Sequence, residues 1–472
     1  MLTSFSDAKK YITKEKVEIL DLKYIDFNGR WRHVTLPAYA FTHKLLEEGV
    51  GFDGSSVGYR ETHSSDMTLL IPDLSTAIID PFWERKTLSF ICRIVEADSR
   101  QPYPFDPRSV ARRAEEYLSR MGWVDASNWG PELEFNVFDK VSYSIRMNQS
   151  SYQIISNEAI FGSEEMSNGV QILPGDGYHA MPPADSLYEM RSEMAAYLES
   201  MGIEIKYHHH EGGGAGQLEI EVPMSGLLRT ADNVMHIKYV AKMTGRKRGK
   251  SVTFMPKPIH GDNGSGMHVH QNLWKGKRNL FYDQEGYGGL SDIALSYIAG
   301  LFKHAPALLA FTNPSTNSYR RLVPGFEAPT HLFFSVGNRT AAVRIPKYAT
   351  TEETKRIEFR PPDATCNIYL CLTAQLLAGL DGIEKKMESR EYGPIDENIH
   401  TWPEEKLKKV KALPASLGDA LEELKHDHEF LLRGEIFSRE LIESWIKYKT
   451  NRELIPIQGM PHPYEFALYY DT

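Results

Sequence analysis

Four short stretches of this chain alternate ionic with apolar side chains, and that pattern constrains the fold more than any other feature. They are Glu132-Leu133-Glu134-Phe135, Glu219-Ile220-Glu221, Met267-His268-Val269-His270 and Arg356-Ile357-Glu358-Phe359-Arg360. On a β-strand, residues two apart share a face. Each stretch therefore predicts a strand with one apolar and one ionic side. Taken together they predict a sheet whose apolar side is core and whose other side lines a charged cavity. One such strand alone is more often an ordinary half-exposed strand. Four of them, carrying Glu, His and Arg in place of Lys, Thr or Ser, point to a site. The histidine pair follows a glycine-rich turn, Asn263-Gly264-Ser265-Gly266, that feeds the strand.

The bulk composition narrows the class. At 472 residues the chain exceeds one average domain and can bury a large core. A net charge of −9 argues against a general nucleic-acid binder. Cys92, Cys366 and Cys371 show neither metal-type pairing nor a disulfide framework, which points to a reducing, cytoplasmic setting. The first ten residues carry no apolar stretch of the signal-peptide kind. The longest apolar run, from Cys366 to Asp381, is too short for a membrane span and reads as a buried helix.

Residues 1–104 read as a small α+β domain. A helix (Ser6 to Thr13) precedes strands at Val17–Tyr24 and Trp31–Leu36, joined by the Asn28-Gly29 turn. Further strands are expected at Thr68–Ile71, Ala77–Asp80 and Leu88–Val95. The proline-rich segment 101–107 marks the boundary, with Asp106 placed to cap a helix that starts at Pro107. Residues 105–472 form the large domain. Helices are expected at Ala184–Met201, Leu228–Arg246, Leu290–Phe311, Cys366–Lys386 and Phe437–Lys449. Residues 142–182 read as a long excursion, and 388–415 as an exposed loop region.

Glu132, Glu134, Glu211, Glu219, His268 and Glu358 are the candidate metal ligands. Carboxylates that share a cavity repel one another, and divalent cations relieve this. Oxygen-rich ligation with one imidazole favours Mg²⁺ or Mn²⁺ over Zn²⁺, and five glutamates call for two or three ions. Arg339, Arg344, Arg356 and Arg360 add the planar cations that grip phosphoryl oxygens. There is no Gly-x-x-x-x-Gly-Lys-Ser/Thr loop, so this is not a P-loop enzyme. A single arginine beside a strand glutamate is most often a structural ion pair. The histidines of His208-His209-His210 read as packing or supporting groups more readily than as ligands. The segment Asn313 to Pro329 has turn residues at both ends and ionic residues inside, the composition of an active-site lid or of a plain surface loop.

At these residues the chain closely resembles glutamine synthetase type I, the bacterial and archaeal dodecameric form. The motifs are Phe52-Asp53-Gly54-Ser55-Ser56, Gly130-Pro131-Glu132 with Glu134, Lys257 through His270, Asn313 through Pro329, Asn338-Arg339, Arg356-Ile357-Glu358 and Pro461-His462-Pro463-Tyr464-Glu465-Phe466. The resemblance implies an N-terminal β-grasp domain and a large catalytic α/β domain whose antiparallel sheet lines a metal-containing funnel. It implies ATP-dependent ligation of ammonia to L-glutamate through γ-glutamyl phosphate, in a dodecamer of two six-membered rings with active sites shared between neighbours. No nucleic acid and no membrane is implied as a partner.

Residue by residue, the resemblance implies that Glu134, Glu211 and Glu219 hold one cation and Glu132, His268 and Glu358 a second, on the ATP phosphates. Asn263, Gly264, Arg321 and Arg360 hold glutamate. His270, Arg339, Arg344 and Arg356 serve ATP and the phosphoryl group. Asp53 and Ser56 of a neighbouring subunit join Tyr178, Glu211 and Glu327 around the ammonium ion. Three departures stand out. Lys206 occupies a position where the family often has Glu. The run Gly212-Gly213-Gly214-Ala215-Gly216 is richer in glycine than usual. His400 stands where the regulated enzymes carry a tyrosine that is adenylylated. Two rival readings are a γ-glutamyl ligase for an organic amine and a catalytically silent homologue. The presence of Asp53, Ser56, Tyr178 and Glu327 favours ammonium, and the complete ligand set argues against silence.

Overall fold

The computed structural model describes residues 2–59, 68–162 and 169–472. Two sheets organise them. The smaller comprises β1 (Ile19–Ile25), β2 (Trp31–Pro37), β3 (Val50–Phe52), β4 (Thr68–Pro72), β5 (Ile78–Asp80) and β6 (Thr87–Glu96), in the order β2-β1-β6-β4-β3 with β5 also on β6. Only β1 and β6 run parallel; the other pairs are antiparallel. Helix α1 (Phe5–Lys14) buries Ala8 and Ile12, and its N-cap Ser4 accepts a hydrogen bond from the Asp7 amide at 3.1 Å.

The β1–β2 turn reaches the large domain. Gly29 there has φ +89°, and a Cβ would stand 2.7 Å from Asn367 Cα, so only glycine lets the turn press on that backbone. Asn367 in turn donates to the Phe27 carbonyl at 3.3 Å.

The remaining α-helices follow in order: α2 (His43–Glu48), α3 (Pro107–Arg120), α4 (Tyr188–Ser200), α5 (Leu227–Lys247), α6 (Asp292–Thr312), α7 (Ser318–Arg321), α8 (Ile368–Glu384), α9 (Glu404–Leu407), α10 (Leu417–His426), α11 (Arg439–Lys449), α12 (Ile455–Gln458) and α13 (Pro463–Tyr469). Helix α3 starts as its sequence dictates. Asp106 accepts from the Arg108 amide at 3.2 Å, and Pro107, which lacks an N–H, fills the first helical position. Arg108 then bonds Asp73 of the small domain at 3.0 Å and Asp232 of α5 at 2.8 Å.

The larger sheet has ten strands. Its spine is β10 (Tyr207–His210), β11 (Gln217–Glu221), β7 (Ala126–Phe138), β14 (Met267–Lys275), β18 (Ile357–Phe359), β17 (Val343–Ile345) and β16 (Phe334–Val336), in that spatial order. Short strands β12 (Ser225–Gly226) and β13 (Ser251–Thr253) lie on β7, and β15 (Arg278–Asn279) lies on β14. The apolar partners of the ionic residues (Leu133, Phe135, Leu218, Ile220, Met267, Val269, Ile357 and Phe359) are all fully buried in one large core with α5, α6 and α8. Helix α6 has the length and composition of a membrane span, yet it is a core helix, buried over 16 of its residues.

Some expectations change. Residues 142–182 do not form an open excursion throughout. β8 (Lys140–Arg146) and β9 (Gln149–Ile155) pair as an antiparallel hairpin, and residues 163–168 lie outside the described residues. The segment 388–415 is not simply exposed. Tyr392 is buried, and Ile399 packs with Phe333 and Ala341 in a small cluster of its own. Helix α4 begins at Tyr188, four residues later than expected. Strand β3 and helix α2 were not expected from the residues at all.

Candidate active site

Strand register assembles the ionic face. Glu132 of β7 sits opposite Glu221 of β11 on one side and His268 of β14 on the other. Glu134 faces Glu219, which in turn faces His209 of β10. His270 faces Glu358 of β18, which faces Arg344 of β17. Directly opposed residues approach within about 5 Å at Cβ, and like charges there are destabilising. Two glutamate–glutamate oppositions side by side are therefore a costly arrangement that bound cations would offset.

Among the described residues, three groups of donor atoms lie mutually within 4.8 Å: Glu132 with His268 and Glu358, His209 with Glu211 and Glu219, and Glu132 with Glu219 and Glu221. These carboxylate-rich sets with at most one imidazole suit hard divalent ions. They open on a cavity of about 970 Å³. Its wall also includes Glu134, Asn263, Gly264, Arg321, Arg339, Arg344, Arg356 and Arg360, together with Tyr178 and Glu327 of the 313–329 segment.

The charges of Glu132 and Glu358 are held from behind. Arg344 and Arg360 each place a guanidinium nitrogen 2.5 Å from one oxygen of buried Glu358. Glu132 meets His268 Nδ1 at 3.1 Å and His270 Nε2 at 2.7 Å. Burial opposes the Glu132 anion, but His270 and His268 outweigh it and hold the carboxyl well below the usual range. Glu358 behaves likewise, burial being overruled chiefly by Arg360. The other half of the cluster has no such cations. Burial, then the charge of Glu134, pushes Glu211 up to about 8, and burial with Glu132 and Glu211 drives Glu219 well above the usual range.

Positions along the rim explain two further residue choices. Arg321 is buried, donating to the Pro361 carbonyl at 2.7 Å and the Arg360 carbonyl at 3.1 Å. A Cβ on Gly264 would stand 2.8 Å from Arg321 Cγ and 2.7 Å from the Pro256 carbonyl oxygen, so glycine is what permits this approach. Glu327 holds φ +56°, a left-handed conformation that is uncommon without glycine, and its carboxylate lies 3.9 Å from Arg339. The first half of the 313–329 segment is anchored: Asn313, Ser318 and Arg321 are buried, while Glu327 stays exposed.

Three sequence candidates do not line the cavity. His270 sits behind it, with Nε2 on Glu132 and Nδ1 accepting from Arg356 Nε at 3.3 Å. Asp53 and Ser56 lie on an exposed turn of the small domain. There Ser55 donates its amide to Asp53 at 2.9 Å and its hydroxyl at 2.6 Å, while the Ser56 hydroxyl donates at 2.5 Å. Those serine bonds, Ser55 first, lower the Asp53 carboxyl to about 2.

Sequence reasoning passed over three members of the site. His209, read as packing or support, lies within one donor group. Glu221 lies in another. Gln217 donates to Glu134 at 3.3 Å and to the Gly264 carbonyl at 3.0 Å, linking a strand to the glycine-rich turn. The period of two had placed Glu219 and Glu221 on one face, and Gln217, two residues before Glu219 on the same strand, continues it.

Comparison with known proteins agrees over the whole chain. Residues 16–97 match the family model described as glutamine synthetase, beta-Grasp domain, and residues 104–469 match glutamine synthetase, catalytic domain. Glutamine synthetase of Streptomyces coelicolor is 48% identical over 475 residues, covering 100% of both chains. That of Nostoc is 45% identical, again over 100% of both. Among solved structures, the cryo-EM structure of Plasmodium falciparum glutamine synthetase superposes with a TM-score of 0.90 at 29% identity, covering 99% of each chain. An ADP complex of GmaS superposes with a TM-score of 0.82 at 25% identity and 100% coverage of both. The chain thus belongs to the glutamine synthetase family: it is an enzyme that uses ATP and divalent metal to ligate ammonia to glutamate, giving glutamine.

Proposed function

We propose that the ligation proceeds through γ-glutamyl phosphate, on Mg²⁺ or Mn²⁺, with the ionic sheet face as its floor. The observation that carries this reading is that the Glu132–His268–Glu358 donor group shares one cavity wall with Arg339, Arg344 and Arg356. Carboxylates for a cation and guanidiniums for phosphoryl oxygens then meet in one place.

Glu132, His268 and Glu358 would hold the cation at the nucleotide side, and Glu134, Glu211 and Glu219 the other; bound there, the cations would neutralise phosphoryl oxygens and satisfy the opposed glutamates. Asn263, Gly264 and Arg321 receive glutamate. Arg344 and Arg356 grip the nucleotide phosphates, with His270 orienting Glu132 and Arg356 from behind. A glutamate carboxylate has no good leaving group. Its γ-oxygen therefore attacks the terminal phosphorus of ATP, the bond to the bridging oxygen breaks, and ADP leaves. Arg339 and Arg360 stabilise charge as the phosphoryl group moves.

Ammonium is not nucleophilic. Asp53, with its neighbour Ser56, takes a proton from it beside Tyr178 and Glu211, and the ammonia formed displaces phosphate from the acyl carbon. Glu327 closes over the acyl phosphate and keeps water out. Asp53 does this from a neighbouring subunit, in a cytoplasmic dodecamer of two hexameric rings built from a 1–104 domain and a 105–472 domain.

The test is phosphate release at fixed glutamate and ATP, with ammonia, methylamine, ethanolamine and a polyamine compared. Ammonia should give the highest kcat/KM and one glutamine per phosphate. Faster turnover with an organic amine would overturn the ammonium reading.

A further inference from the structure

The third donor group differs from the other two in having a cation already supplied by the chain. Glu221 is buried, and both its oxygens are engaged. Lys206 Nζ lies 2.6 Å from one, and the Tyr207 hydroxyl donates to the other. Lys206 is tied to the same strand by its backbone, its amide donating to the Glu221 carbonyl at 2.9 Å. Its ammonium lies 4.5 Å from the centre of the Tyr207 ring, and the side chain lines the catalytic cavity.

We propose that the Lys206 ammonium is the resident cation of the Glu132–Glu219–Glu221 group, so that each subunit binds two divalent ions and not three. The inference rests on the metal reading given above. Two arguments support it. A divalent ion entering beside Glu221 would face a fixed positive charge hydrogen-bonded to the very carboxylate it needs. Charge balance agrees. Glu358 is matched by Arg344 and Arg360, and Glu221 by Lys206. Among the described residues, Glu132, Glu134, Glu211 and Glu219 have no lysine or arginine within salt-bridge distance, and Glu132 and Glu219 meet only histidines. Those four carboxylates are neutralised by two divalent ions.

The test counts metal and requires no turnover. Bound Mn²⁺ per subunit is measured by electron paramagnetic resonance of the free ion during titration of the metal-stripped full-length protein, without nucleotide. The expected counts are two for the wild type, three for Lys206→Met, and two again for Lys206→Met combined with Glu221→Gln. Lys206→Arg, which keeps the charge, should stay at two. A count of three in the wild type, or of two in Lys206→Met, overturns the proposal. A wild-type count below two overturns the metal reading itself and this inference with it.

Discussion

The cavity floor and the Asp53 turn are both charged, but they are built in opposite ways. On the floor, Glu132, Glu134, Glu219 and Glu358 are fixed by register against neighbouring strands, and Glu132 and Glu358 are backed by histidine or arginine. The Asp53 carboxylate lies on an exposed turn, where Ser55 and Ser56 donate to it, and among the described residues it is not one that lines the cavity. The floor is costly to assemble and therefore preorganised. The turn is cheap to assemble and has its charge ready, since a carboxyl lowered to about 2 is fully ionised at neutral pH. The difference suggests that one region makes the site stable, while the other completes it from outside.

Removing a floor residue should have the largest effect, on activity and stability alike. Glu358→Ala leaves the guanidiniums of buried Arg360 and half-buried Arg344 without their carboxylate, and breaking a buried pair costs about 3–5 kcal/mol. We expect a clear fall in the thermal midpoint and a loss of kcat/KM of at least about a thousandfold, or roughly 4 kcal/mol. Calorimetry and steady-state assay together check this.

Asp53→Ala should separate the two properties. Activity should fall by about 10²–10⁴ for a lost general base, while stability changes by less than about 0.5 kcal/mol. A thermal midpoint that drops as far as that of Glu358→Ala would erase the contrast.

Glu327→Ala should act more subtly. The lid residue is exposed and in a left-handed conformation, so its loss leaves the floor intact. Glutamine formed per phosphate released should fall below unity, because water then intercepts the acyl phosphate. A ratio that stays at one would remove the shielding role.

The smallest effect concerns pH. In the metal-free protein Glu211 is raised to about 8, and burial with the charges of Glu132 and Glu211 raises Glu219 well above the ordinary carboxylate range. Carboxyls whose folded pKa is raised withdraw stability as pH climbs from the ordinary carboxylate range toward 8. Cations bind the deprotonated form, so they should release protons, bind more tightly as pH rises, and restore that stability. Calorimetric titration in buffers of different ionisation enthalpy would reveal the protons. No release at pH 7 would contradict the assignment.

The floor was largely legible from the residues because a period of two is a strong local signal. Glu132, Glu134, Glu219, His268 and Glu358 all lie on the expected face. His209 was not legible. It alternates against His208 and His210, and only the pairing of β10 with β11 brings it opposite Glu219. The β8–β9 hairpin was missed for a related reason: most of its residues are exposed on both faces, so it carries no apolar stripe. Ile399 was read as part of an exposed loop because one anchoring apolar residue leaves no periodicity. The Asp53 turn was legible only as a motif, since nothing in its local pattern says which cavity it serves.

The central claim is that each active site draws Asp53 from a neighbouring subunit. Asp53→Ala and Glu358→Ala should each be inactive alone. Dissociated, mixed equally and reassembled, they should recover activity wherever an intact small domain meets an intact large one, about a quarter of the sites for random closure of a head-to-tail ring. Recovery to roughly that level would support the account. Parental activity in rings proven to be mixed would show that Asp53 serves its own subunit or takes no part in the reaction.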